Sequence, residues 1–232
     1  MLDQIRNALL ASGTRPLFVG VDGVDTSGKT TLADELVESF DDRGPGSSAI
    51  RSSIDGFHHP RARRHRRGRE SGEGYYQDTF DYAALSAELL EPLSAPAPAT
   101  YRVETFDLAA DAVIDSEPAD VPDRPILVLD GVFLQRSELR RYWTLVVYLH
   151  CSFDEVIRRA RVRDVANFRD ADHVERIYRR RYIPGQQLYI RECAPALGAH
   201  IVIDNTDFAA PLVVTDPDAR AALHESALAF RP

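Results

Sequence analysis

The chain has 232 residues, 44% hydrophobic and 28% charged, which suits one domain with a sizeable core and a small lid and excludes bulk disorder. A net charge of −8 and a pI of about 5.4 argue against nucleic-acid binding over the whole surface. No apolar run approaches the ~20 residues of a spanning helix, and the start, MLDQIRNALLASGTRP, has an early Asp3 and only short apolar runs, so neither a membrane segment nor a signal peptide is expected.

In chain order, residues 2–11 have helical spacing through Leu2, Ile5, Leu9 and Leu10. Pro16 to Asp22 (PLFVGVD) predicts a buried strand, Lys29 to Phe40 an amphipathic helix, and Gly44-Pro45-Gly46 a stop. Ser48 to Ile54 is a second strand. The polar, arginine-rich segment about 57–76 is expected as a mobile loop. Tyr82 to Leu90 predicts a helix closed by Pro92, and Ser94–Ala99 a linker. Thr100–Phe106 and Ala112–Ile114 are candidates for a hairpin.

Three further apolar strands follow: ILVLD ending at Asp130, TLVVYL ending at Leu149, and Ile201–Ile203. Ser152 and Glu155 are spaced as a capping box ahead of a helix reaching Arg163. Val174 to Arg191 reads as helix, with a kink or break expected at Pro184-Gly185. A last helix is expected over Asp216–Phe230. Buried strands alternating with helices predict an α/β fold, with a five-stranded, mainly parallel sheet, helices on both faces and a lid about 158–185. Cys151 and Cys193 form no CxxC and are expected as reduced thiols of a cytoplasmic protein.

Residues 23–30, GVDTSGKT, fit the phosphate-loop pattern GxxxxGK[ST] between a strand and a helix. Backbone N–H groups of Gly23, Asp25, Thr26, Ser27, Gly28, Lys29, Thr30 and Thr31, at a helix N-terminus, are the expected nucleotide cradle. Lys29 is placed to neutralise β/γ phosphates and the Thr30 hydroxyl to ligate Mg²⁺. A Rossmann site needs GxGxxG, which this loop lacks. Asp130, closing an apolar strand, is the expected second metal-side acid. Asp55, after the second strand, is placed to accept a proton from an acceptor hydroxyl. Six arginines lie between His58 and Arg69, and Arg158, Arg159, Arg161 and Arg163 share a helix. The first group leaves a nucleic-acid arm as an alternative; the second suits a lid, with Arg163 and then Arg159 the candidates at the chemistry.

GVDGVDTSGKTTLADEL, SIDGFHHPR, GYYQDTFD and LDGVFL together resemble the uridine kinase-like branch of the uridine kinase/phosphoribulokinase/pantothenate kinase superfamily of P-loop kinases, from about Pro16 to Asp207. The resemblance implies ATP and Mg²⁺ as cofactors and phosphorylation of a hydroxyl on a small, nucleoside-like acceptor. It implies Asp55 as general base, Asp78 on the acceptor's sugar hydroxyls, Asp130 near Mg²⁺, Arg163 in the lid, and an adenine site at 204–207 that includes Asn205. His58, Tyr76 and Arg169 complete the expected acceptor-binding set. Two departures, the arginines of PRARRHRRGR and the segment TYRVETFD, leave other acceptors open: pantothenate, a sugar or a sugar phosphate. Asp25 corresponds to an acid in the GLDxxGKT loop of thymidylate kinases, which implies that it faces the acceptor or anchors an arginine there. A homo-oligomer stays open; a nucleic-acid-associated ATPase is the alternative from another class.

Overall fold

The computed structural model describes residues 5–7, 16–41, 49–96 and 98–232. Of the first expected helix only residues 5–7 are described, and they are helical. The Gly44–Gly46 stop lies outside the described residues.

The main sheet has six strands: β1 (Leu17–Gly23), β2 (Ile50–Ser53), β3 (Ile126–Gly131), β4 (Leu145–His150), β5 (Ile201–Asp204) and β6 (Leu212–Val213). Their order is β6-β5-β4-β1-β3-β2. β3 runs parallel to both β1 and β2, with Val19 opposite Val128 and Ser53 opposite Asp130. Every residue of β1, β3 and β4 is buried, which is why these strands read as continuous apolar runs. The expected five strands become six because β6 adds an antiparallel edge on β5. It has two residues, and Leu212 is 64% exposed, so no buried-strand signal marks it.

The chain divides into two compact units, one of Met1–Asp22, Lys29–Pro60 and Phe80–Val147, the other of Gly23–Gly28, Arg61–Thr79 and Tyr148–Pro232. In the first, helix α1 (Lys29–Asp41) buries Leu32, Ala33, Leu36 and Phe40 along one face. The two leucines and the phenylalanine each contribute about 1.5–3 kcal/mol. The expected hairpin region forms two short antiparallel ladders, Phe106–Asp107 with Ala112–Val113 and Thr100–Tyr101 with Ala119–Asp120.

In the second unit, the segment expected as a loop carries a helical turn at Arg61–Arg64 and helix α2 (Gly72–Asp78), capped by the Ser71 hydroxyl. Helix α3 spans Phe153–Arg163. The expected capping box is absent: the Ser152 N–H donates to Thr206 Oγ1, and Glu155 turns to Arg158 and Arg159. Helices α4 (Ala171–Ile177) and α5 (Ile183–Cys193) are joined by a π-helical turn, Tyr178–Tyr182, so no break occurs at Pro184.

The same device appears in the first unit. There Ser86–Leu90 is a π-turn ahead of Pro92, and the helix runs on to Ser94 rather than closing. A proline removes an N–H and crowds the carbonyl four residues back; the wider turn just before it relieves both. Gly185 follows because a Cβ there would lie 2.7 Å from the Gly72 carbonyl oxygen. The last helix, α6 (Pro217–Ala229), is capped by Asp216.

Candidate active site

The phosphate loop begins in the second unit. Gly23 ends β1, and Thr26 and Gly28 have φ of 56° and 94°. Gly28 admits no side chain, since a Cβ would stand 2.9 Å from Asn205 Nδ2. The loop's carbonyls are braced from behind. Asn205 Nδ2 donates to the Ser27 carbonyl at 2.8 Å, and Arg159 Nη1 to that of Thr26 at 3.2 Å. Arg159 Nη2 also donates to the carbonyls of Asn205 and Thr206, both at 2.8 Å. With its carbonyls held outward, the loop can turn N–H groups inward, the requirement for an anion cradle. The Ser27 hydroxyl is buried and has no partner.

Arg159 is therefore a brace rather than a cation offered to the chemistry. Its guanidinium lies 3.5 Å from the ring centroid of Phe208. Phe208 is 56% exposed and was missed in the sequence; its one signal is an aromatic immediately after the 204–207 loop.

The Asp25 carboxylate accepts from Gln186 Nε2 at 2.6 Å and from the Tyr75 hydroxyl at 3.3 Å. Gln186 Oε1 is buried without a partner. Arg163 is exposed, its Nε 2.5 Å from Asp164 and its Nη2 3.3 Å from the Tyr178 hydroxyl. Burial, then the Asp25 charge, then the bond to Asp164 push the Tyr178 hydroxyl far above its ordinary range, so it serves as a donor.

Asp78 is fully buried, and its two oxygens take Arg66 and Arg67 Nε (2.9 Å). Burial opposes ionisation, yet these two arginines hold the carboxyl below its usual range. The carboxylate expected on sugar hydroxyls is thus engaged with arginines of the 61–69 run. Tyr76 is buried, and its hydroxyl donates to Glu192 Oε2 at 2.8 Å, so the residue packs α2 onto α5. Arg169 is exposed beside Asp170.

The first unit holds the remaining candidates. Lys29 is buried, Thr31 is exposed, and the Thr30 hydroxyl donates to Asp130 Oδ2 at 2.8 Å. Asp130 Oδ1 is buried without hydrogen-bond geometry, although Arg51 Nη2 lies 2.8 Å away as an ion pair. A hydroxyl beside a buried carboxylate is a hard-oxygen donor pair that fits Mg²⁺. Asp22 turns aside: Gln135 Nε2 donates to it at 2.9 Å and the Leu134 N–H at 3.4 Å. Asp55 lies exposed on the turn Ile54–Phe57, just beyond β2. His58 is held by a 2.7 Å bond between Nδ1 and the Asp55 carbonyl and packs on Phe80. It opens onto a cavity of about 420 Å³ lined also by Asp81, Glu88, Arg102 and Phe106. Among the described residues no helix is long and apolar enough to cross a membrane.

Solved structures share this fold. One, named provisionally as a uridine kinase from Bacillus stearothermophilus, is 24% identical, with 86% of this chain and 98% of that one covered and a TM-score of 0.62. The chain has the fold of the P-loop kinases. A second, named provisionally as a fructose transport system kinase from Silicibacter sp. TM1040, is 19% identical over 87% and 98% of the two chains, with a TM-score of 0.70. A third, the YGR205w protein, is 14% identical over 88% and 91%, with a TM-score of 0.62. No protein-family profile matches this chain, and no curated protein does.

Proposed function

We propose that the chain is a cytoplasmic, ATP-dependent kinase that transfers the γ-phosphate to a hydroxyl of a small acceptor of the nucleoside or sugar type. The observation that carries this reading is the Thr30–Asp130 pair directly after a braced phosphate loop. Thr30 and Asp130 would hold Mg²⁺, which supplies charge neutralisation of the phosphates. Lys29 and the N–H groups of 23–31 bind the β and γ phosphates. Asp55 takes the proton of the acceptor hydroxyl as its oxygen bonds to the γ-phosphorus and the bond from that phosphorus to the β–γ bridging oxygen breaks. ADP and the phosphorylated acceptor leave. Residues 158–185 act as the lid, with Arg163 its cation toward the phosphates and Tyr178 orienting Arg163 through Asp164. Phe208 offers a face for the base of the nucleotide.

The neighbours' provisional names, one a uridine kinase and one a fructose transport system kinase, support a small acceptor. Pairing of Arg66 and Arg67 with Asp78 and Glu73, and of Arg180 with Glu70, weighs against a nucleic-acid arm. The test is acceptor-dependent ADP release from Mg-ATP over a panel of nucleosides, sugars, sugar phosphates and pantothenate. Release with at least one acceptor is expected; none with any would refute the reading.

A further inference from the structure

Arg51, on β2, stands between two carboxylates of the first unit. Its Nε lies 2.8 Å from Asp34 Oδ1 on α1, and its Nη2 2.8 Å from Asp130 Oδ1 at the end of β3. Its Nη1 donates to the Ser52 carbonyl. The two ion pairs are unequal: the Asp34 side chain is 56% exposed and that of Asp130 5%. Water screens the first, whereas the buried second acts at closer to full strength.

Arg51 competes for the expected metal acid. Thr30 takes one oxygen of Asp130 and Arg51 the other, so both are engaged. A divalent cation held by Thr30 and Asp130 would share its carboxylate with a guanidinium. Two positive charges on one buried carboxylate repel strongly.

Arg51 also has room to leave. It lines a cavity of about 310 Å³ together with Ser52, Gly56 and the acids Asp34 and Glu104. The wall that carries Glu104 is fixed against the Ile54–Phe57 turn. The Thr105 N–H donates to the Gly56 carbonyl at 2.8 Å, and a Cβ on Gly56 would lie 2.6 Å from Glu104 Cβ. A guanidinium released from Asp130 keeps Asp34 on Nε and meets a second acid on the cavity wall, so its charge stays compensated.

We propose that Arg51 is a positioning residue for the metal acid: it holds Asp130 while no metal is bound, and swings toward Asp34 and Glu104 when Thr30 and Asp130 take Mg²⁺. Arg51 thereby keeps a buried carboxylate compensated, at the cost of a weaker metal site. This deepens the kinase reading and rests on its metal site.

The experiment titrates Mn²⁺ into the nucleotide-free protein, reads free Mn²⁺ by EPR, and uses Mg²⁺ as competitor. Arg51→Met should bind Mn²⁺ at least about tenfold more tightly than the parent, and Arg51→Lys, which keeps the charge, within about threefold of it. A purely supporting role for Arg51 predicts the opposite sign, a looser site in Arg51→Met. Asp34→Asn should weaken Mn²⁺ binding at least about threefold in the parent and leave it unchanged in Arg51→Met, because Asp34 acts through Arg51. Should Arg51→Met fail to fold, Asp34→Asn, at an exposed position, carries the test alone, and unchanged Mn²⁺ binding overturns the proposal. Weaker or equal binding by Arg51→Met, no Mn²⁺ site in either protein, or additive effects of the two substitutions also overturn it. Acceptor-dependent ADP release by the parent is measured in parallel. A tighter Mn²⁺ site in Arg51→Met beside a parent that turns over no acceptor supports the Arg51 role and refutes the kinase. Turnover by the parent without that tightening overturns the Arg51 role and leaves the kinase standing.

Discussion

The Thr30 hydroxyl donates a 2.8 Å hydrogen bond to Asp130 Oδ2, tying the first turn of α1 to the end of β3. The other oxygen of Asp130 is buried beside Arg51. Asp130→Asn keeps an acceptor for Thr30 and removes the charge. The Mg²⁺ concentration for half-maximal activity should rise about 10- to 100-fold at fixed ATP. Magnesium titration of initial rates checks this, and an unchanged midpoint would remove Asp130 from the metal site.

Arg159 joins α3 to three carbonyls of the phosphate loop and the 204–206 segment. Arg159→Ala should destabilise the protein by about 3 kcal/mol and weaken ATP binding, because buried carbonyls lose a charged donor. Arg159→Lys should recover little, since one ammonium cannot reproduce the fork. Calorimetric melting and nucleotide titration check both. A variant as stable as the parent would show that the loop holds its own shape.

The phosphate loop and its flanking elements were legible because their signals are local. GxxxxGK[ST] spans eight residues, and β1, β3 and β4 are apolar throughout because both faces are covered. What the sequence hid depends on distant partners. The 57–76 segment read as a loop from its arginines and glycines, yet buried Asp78 gathers Arg66 and Arg67 and helps order it. Tyr76 read as a ligand residue and packs against Glu192, 116 positions away. Pro92 and Pro184 read as breakers, and a π-turn ahead of each carries the helix through. Asp22 and Asp25 stand three apart and turn to different partners, Gln135 and Gln186, which spacing alone cannot assign.

Asp25 faces Tyr75 and Gln186, so its loss should be felt by the acceptor and not by ATP. Asp25→Asn is expected to raise the acceptor KM about tenfold and leave the ATP KM within about twofold. A change confined to the ATP KM would contradict this.

Glu155 bonds Arg158 and Arg159, and the Arg158 bond first, then that of Arg159, lower its pKa to about 2. Because the folded value lies below the unfolded one of about 4.5, the stabilisation is complete above the unfolded pKa and is lost as pH falls through the folded one. Parent and Glu155→Gln should therefore differ in Tm by a constant amount above about pH 5, with the gap closing toward pH 2. Thermal melts across that range check it; a gap that widens on acidification would contradict the assignment.

The most direct test of the central claim compares the parent with Asp55→Asn, measuring acceptor-dependent ADP release and, separately, ATP affinity. The variant's kcat should fall about 100- to 10,000-fold, with the ATP dissociation constant within about twofold of the parent. An Asp55→Asn protein that releases ADP at the parental rate in the presence of acceptor would contradict it.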